Sequence, residues 1–212
     1  MQLGKIPLIF IVKGVIIMKK KIITISREFG SGGRTIGKMV AERLGYDFYD
    51  KELIEKIAAE SGFNEKYIEE QGEYAPSKNS FAYAFVGRDI NGMSMSDYIY
   101  SMQRKVILEL AEKGNCVIVG RCADYILRDR ADCLNVFVHA DMDKRADRIV
   151  NRYGETDKAP EKRLMDKDRK RKINYKYYTG QEWGMSQNYH ISLNSGEIGI
   201  DKCVQIITDL SK

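Results

Sequence analysis

Apolar positions along this chain fall into two patterns: short unbroken runs, and longer stretches where they recur every third or fourth residue. Lys21-Ile22-Ile23-Thr24-Ile25-Ser26 is an apolar, β-branched run ending at a glycine cluster, which predicts a buried strand. Beyond the glycines, Ile36, Met39, Val40 and Leu44 share one helical face, and Gly45 closes that helix. Tyr46-Asp47-Phe48-Tyr49 predicts a second, short strand. Asp50 is placed to cap the next helix, whose apolar face is Leu53, Ile54, Ile57 and Ala58. Ser94 opens a long helix carrying Met95, Tyr98, Ile99, Met102, Val106 and Leu110, which stops at Gly114. Three more strands are predicted, at Cys116–Val119, Leu134–Val138 and Tyr189–Leu193, with helices between them. A last helix carries Ile200, Cys203, Val204, Ile207 and Leu210.

Strands alternating with helices predict an α/β fold, a parallel sheet covered by helices on both faces. The stretch 62–93 breaks the period; it mixes Gly, Ser and Asn with Tyr74, Phe81, Tyr83 and Phe85, as expected of a partly mobile insert over a site. No repeat, low-complexity segment or Pro/Gly-rich linker divides the rest. Residues 18–212 are therefore expected to form one domain.

The beginning of the chain needs its own reading. Ile6 to Met18 is apolar but interrupted by Lys13 and Gly14, and it is too short to span a bilayer. Lys19-Lys20-Lys21 stands where a signal peptide would carry small residues. The string MKKKIITIS reads as a start running straight into the first strand, so residues 1–17 are expected to be an upstream extension.

Composition narrows the function. With 43% hydrophobic and 31% charged residues, the chain is neither disordered nor fibrous. Its net charge of +5 comes from local Lys/Arg clusters, which suit phosphate-bearing ligands. Cys116, Cys122, Cys133 and Cys203 have no CxxC pairing, which argues against a zinc site or disulfide framework and fits a reducing cytoplasm. His139 and His190, far apart, leave a His-rich metal centre or triad without its parts.

The most informative motif is Gly30-Ser31-Gly32-Gly33-Arg34-Thr35, between the first strand and first helix. Glycines let backbone N–H groups approach an anion closely, and the helix N-terminus adds its partial positive charge. A hydroxyl just inside the helix can hold Mg²⁺, and a cation can reach the β- and γ-phosphates of ATP; Thr35 and Arg34 stand at those places. Against the usual G-x-x-x-x-G-K-[ST] pattern, Glu28 replaces the first glycine and Arg34 the lysine. Glu28 is expected to stabilise the loop or tune metal binding.

Together the strings ITISREFGSGGRTIG, FYDKELIEKIA, VIVGRCADYIL, DKDRKRKINYKYYTGQEW and NYHISLNSGEIGIDKCV resemble the cytidylate-kinase-like family, a divergent bacterial branch of the nucleoside-monophosphate kinases. The resemblance runs from Lys20 to Leu210. It implies a P-loop fold with a five-stranded parallel sheet, an acceptor insert at about 50–93 and a lid at about 152–180. It also implies ATP and Mg²⁺ as cofactors and a nucleoside monophosphate, CMP or dCMP, as acceptor. By the same resemblance Gly30, Ser31, Gly32, Gly33, Arg34 and Thr35 bind ATP. Asp50, Lys56, Arg121 and Asp168 would hold the acceptor, Asp168 near its sugar or base, while Arg169 and Arg171 join Arg34 around the transferring phosphoryl group.

That chemistry wants arginine, whose planar fork binds phosphate bidentately and keeps its proton. Arg145, Arg148 and Arg152 add to the supply, with Arg148 and Arg152 on one helix face. Tyr175, Tyr177, Tyr178 and Trp183 either stack on a base or anchor the lid, anchoring being favoured. Two other readings remain open: a nucleotide-binding regulatory module, or a kinase for another small-molecule acceptor. Nucleic acid is not an expected partner, because acidic residues dilute the basic, tyrosine-rich stretch 162–178.

Overall fold

The computed structural model describes residues 9–12, 15–72 and 94–212. Strands β1 (Ile9–Val12) and β2 (Val15–Met18) pair antiparallel in a two-stranded sheet of their own. The main sheet is parallel and five-stranded, from β3 (Ile22–Arg27), β4 (Asp47–Tyr49), β5 (Cys116–Val119), β6 (Cys133–His139) and β7 (Ile191–Asn194), in the order β4-β5-β3-β6-β7. Central β3 pairs on both sides, Ile25 facing Val119 in β5 and Val136 in β6.

Alternation along the strands sends side chains to two separate cores. Ile23, Ile25, Val117, Val119, Leu134, Val136 and Val138 pack with α1 (Gly33–Leu44) and α8 (Ile200–Leu210). Ile22, Cys116, Ile118 and Cys133 pack on the other face with α2 (Lys51–Ser61), α3 (Glu65–Gly72) and α4 (Met95–Lys113). Full burial of one such side chain contributes about 1.5–3 kcal/mol over leaving it exposed. The continuous apolar strands of the sequence are therefore explained by helices on both sides.

After β5 a single turn, α5 (Ala123–Ile126), leads towards β6. Helices α6 (Met142–Tyr153) and α7 (Pro160–Thr179) then cross the carboxyl ends of the strands. Ser94 caps α4 as its sequence predicts, accepting the Asp97 N–H at 3.2 Å. Asp50, expected to cap α2, occupies the N-cap position without a capping hydrogen bond. Its carboxylate is held instead by Arg34, at 2.6 Å. A further difference is α3, which lies within the stretch read as irregular; Tyr74, Phe81, Tyr83 and Phe85 fall outside the described residues. All four cysteines are free and buried. Burial raises each thiol, Cys116 and Cys133 to about 12, so none is a ready nucleophile. Among the described residues no helix is long and apolar enough to cross a membrane.

Candidate active site

The turn between β3 and α1 is shaped by close approach. Gly32 stands at φ 82°, in the left-handed region, and a Cβ on Gly33 would lie 2.5 Å from the Arg27 Cβ. No side chain caps α1 and no acid stands in its first turn, so its N-terminal N–H groups open onto a cleft of about 210 Å³. Eight cationic side chains and two carboxylates line this cleft, roughly +6 in sum, so the chain's positive excess is concentrated here. Arg148 donates to the Gly30 carbonyl at 2.8 Å and Arg152 to the Thr35 hydroxyl at 3.1 Å. Both project from one face of α6, as their spacing predicts.

Ser31, by contrast, is fully buried; its hydroxyl donates to the Glu28 carbonyl at 2.9 Å and its own carbonyl accepts from Ser195. Within the Gly30–Thr35 turn it shapes the backbone, and its side chain does not line the cleft. Glu28, which stands where the usual motif has its first glycine, ties the loop to the end of β6 and to α6. Its carboxylate accepts the Ala140 N–H at 3.3 Å and lies 3.5 Å from the Arg145 guanidinium.

Arg121 sits at the carboxyl end of β5, 9% exposed and lining the cleft. Gly120, Arg121 and Cys122 have φ of 75°, 59° and 54°, three left-handed residues in succession. Such a backbone persists only where its surroundings hold it. Here buried Gln103 of α4 donates to the Arg121 carbonyl at 2.8 Å, while the Arg121 guanidinium donates to the Ile68 carbonyl of α3 at 3.4 Å. Neither Gln103 nor Arg27, at the end of the central strand and lining the cleft, stands out from sequence pattern. A rule that ligands gather at the carboxyl ends of parallel strands would have singled out Arg27.

Three expected residues lie elsewhere. Lys56 is on an exposed face of α2, turned from the cleft by helical geometry; Lys51 and Ile54 are the residues of that helix lining it. Asp168 is buried beneath the loop, accepting the Phe29 N–H at 2.8 Å and pairing with Arg145 at 2.6 Å. Arg169 is exposed on the far side of α7, two positions and so roughly 200° round the helix from Arg171. Arg171 lines the cleft and donates to the Arg27 carbonyl at 3.2 Å.

The inner face of α7 continues into a buried polar seam. Tyr175 donates to the Asp124 carboxylate at 2.7 Å, and Ser26 donates to its other oxygen at 3.1 Å. Burial raises the Asp124 pKa against the lowering effect of these hydrogen bonds. Tyr178 donates to the Ser96 carbonyl at 3.0 Å and stacks on Tyr100 at 4.0 Å, and Trp183 packs edge-on to Phe137. Anchoring accounts for these three aromatic residues.

The model of the Cytidylate kinase-like family matches residues 22–197, which include β3, the loop, α7 and β7. The chain belongs to that family. The cytidylate kinase of Archaeoglobus fulgidus is 30% identical over 191 residues, 87% of this chain and 91% of that protein. That of Ignicoccus hospitalis is 24% identical, covering 88% and 96%. A solved structure of an uncharacterized protein from Eubacterium ventriosum superposes with a TM-score of 0.68 at 28% identity, covering 90% of this chain and 97% of that one. Shikimate kinase from Acinetobacter baumannii, at 17% identity and a TM-score of 0.52 over 90% and 92% of the two chains, shares the fold alone. This cytidylate kinase-like protein thus carries the α/β fold of the P-loop kinases, with its glycine turn between the central strand and α1.

Proposed function

We propose that the protein transfers the γ-phosphoryl group of ATP to a nucleoside monophosphate, CMP or dCMP, in the cytoplasm. The observation that carries this reading is the convergence of eight cations on a glycine turn at an uncapped helix N-terminus. In the transfer, an oxygen of the acceptor phosphate forms a bond to the γ-phosphorus while the bond to the ADP oxygen breaks. The attacking oxygen already carries negative charge, so no general base is required, and positioning with charge neutralisation is enough.

On this reading the backbone N–H groups of the Gly30–Thr35 turn hold the ATP phosphates. Arg34, Arg148 and Arg152 stand on one side of them, and Arg121, Arg171 and Lys51 receive the acceptor phosphate. Before ATP binds, Asp50 holds Arg34; an incoming phosphate replaces one anionic partner with another. Mg²⁺ fits this donor set. The described residues hold no cluster of three or more acidic, histidine or cysteine ligands, while Thr35 offers a hydroxyl and Asp50 a carboxylate to the same cleft. One or two protein oxygens completed by phosphate and water is the usual magnesium arrangement. When bound, the ion neutralises phosphate oxygens.

The test is ADP release with ATP and Mg²⁺ against a panel of ribo- and deoxyribonucleoside monophosphates. Turnover on CMP or dCMP is expected, and Arg34→Ala should lower it by about 10³ or more. Silence across the panel with ATP binding intact would move the assignment to another acceptor. The cleft carboxylate of Asp50 favours that second reading, since a hydroxyl acceptor needs a base.

A further inference from the structure

Three arginines that line the cleft, Arg27, Arg121 and Arg171, each have a close neighbour in the buried polar seam. Arg27 follows Ser26 directly on β3. Arg171 stands four residues before Tyr175, one turn along α7 and on the same face. Arg121 stands three residues before Asp124, with only the end of the left-handed turn between them. The three neighbours meet one another. The Asp124 carboxylate takes the Ser26 proton on one oxygen at 3.1 Å and the Tyr175 proton on the other at 2.7 Å. Its main-chain carbonyl accepts from the Asn135 amide of β6 at 3.4 Å.

Asp124 is 2% exposed and is not among the residues that line the cleft. A buried carboxylate is more than stability asks for, since well-packed neutral groups of similar size generally serve as well. What the carboxylate adds is direction. It only accepts, its two oxygens lie in one rigid plane, and each charge-assisted hydrogen bond is stronger than a neutral one. Burial raises its pKa, while the Tyr175 and Ser26 protons pull it back toward the charged form. Two donors from two elements, held by one rigid group, set the distance between those elements and the rotation of α7 about its axis.

We propose that Asp124 is a positioning residue: it pins α7 to the central strand and to the Arg121 turn, so that Arg27, Arg121 and Arg171 keep one spacing before any ligand arrives. That this spacing suits an acceptor phosphate rests on the nucleoside-monophosphate kinase reading above; the pinning itself does not. Arg148 and Arg152 lie outside the seam and reach the glycine turn through contacts of their own, to Gly30 and Thr35. The pin therefore governs the acceptor wall of the cleft and leaves the ATP wall alone.

The experiment uses two variants. Tyr175→Phe removes one proton and no packing volume, and Asp124→Asn keeps the shape and removes the charge; if the second fails to fold, the first carries the test. Without ligand, amide hydrogen exchange across residues 171–178 should be faster in each variant than in wild type. By calorimetry, CMP binding should weaken about tenfold or more, with ATP·Mg²⁺ binding within about twofold of wild type. The double variant should lose little beyond either single one, because both changes release the same pin. Exchange left at the wild-type rate by both variants would overturn the pin. Equal losses for the two ligands would overturn the positioning role, since a residue serving stability alone does not discriminate between them. Faster exchange in the variants, with no turnover of any nucleoside monophosphate by wild type, would keep the pin and sink the kinase reading.

Discussion

Arg34 and Asp50 illustrate how one side chain can carry two readings. From sequence, Asp50 is a helix cap; in the fold its carboxylate turns to Arg34, a charged partner that outbids a backbone N–H. Such choices are illegible in a single sequence because they depend on which residues the tertiary structure brings within reach. His190 is a similar case. Its Nδ1 accepts the Asn135 N–H at 3.0 Å, a role open only to the neutral ring, and burial followed by Lys20 lowers its pKa. A lowered folded-state pKa means the contribution is complete above the unfolded value of about 6.5 and is lost as pH falls through the folded value. Melting temperatures taken from pH 7.5 down to 5 should therefore fall more steeply for wild type than for His190→Gln. Parallel curves would dismiss the idea.

At the scale of elements, α7 divides its residues by face. Asp168, Arg171, Asn174, Tyr175 and Tyr178 all make or line contacts toward the core, while Arg169 looks outward. The resemblance assigned roles along this helix by position in a motif, while the 3.6-residue period decides which of those residues face the cleft. Lys56 and Lys51 on α2 repeat the lesson. Strands were easier: Cys116–Val119 was legible to the residue because a fully buried run has no polar position to blur its ends. Asn135, buried in β6, and the polar seam around Asp124 gave no such signal, since their partners come from distant segments. The Arg145–Asp168 pair joins α6, α7 and the turn after β3 out of solvent, at 6% and 8% exposure. Asp168→Ala would leave Arg145 with only the more distant Glu28 carboxylate at 3.5 Å, and up to about 3–5 kcal/mol of stability should be lost. A denaturant midpoint shifted by much less would show that the pair is better solvated than its burial implies.

For the whole molecule, the separation of two apolar cores from one charged rim means that ligand binding and folding report on each other. An anion filling the cleft relieves the mutual repulsion of eight cations. ATP with Mg²⁺ at a hundred times its Kd should stabilise the fold by about 2.7 kcal/mol, a melting shift of about 5–10 °C for a chain of this size. The shift should shrink when Gly33→Ala pushes a methyl group into Arg27. An undiminished shift would place the nucleotide elsewhere.

The left-handed turn at Gly120-Arg121-Cys122 has a genetic consequence. Its guanidinium is steered by a carbonyl of α3 and its main chain by a glutamine of α4, neither of which lines the cleft. On the proposed function, a random mutagenesis screen for lost turnover would collect two kinds of allele. One kind alters the cations themselves. The other lies at Gln103 and around Ile68, leaves protein abundance intact, and would be mistaken for damage at a second, remote site.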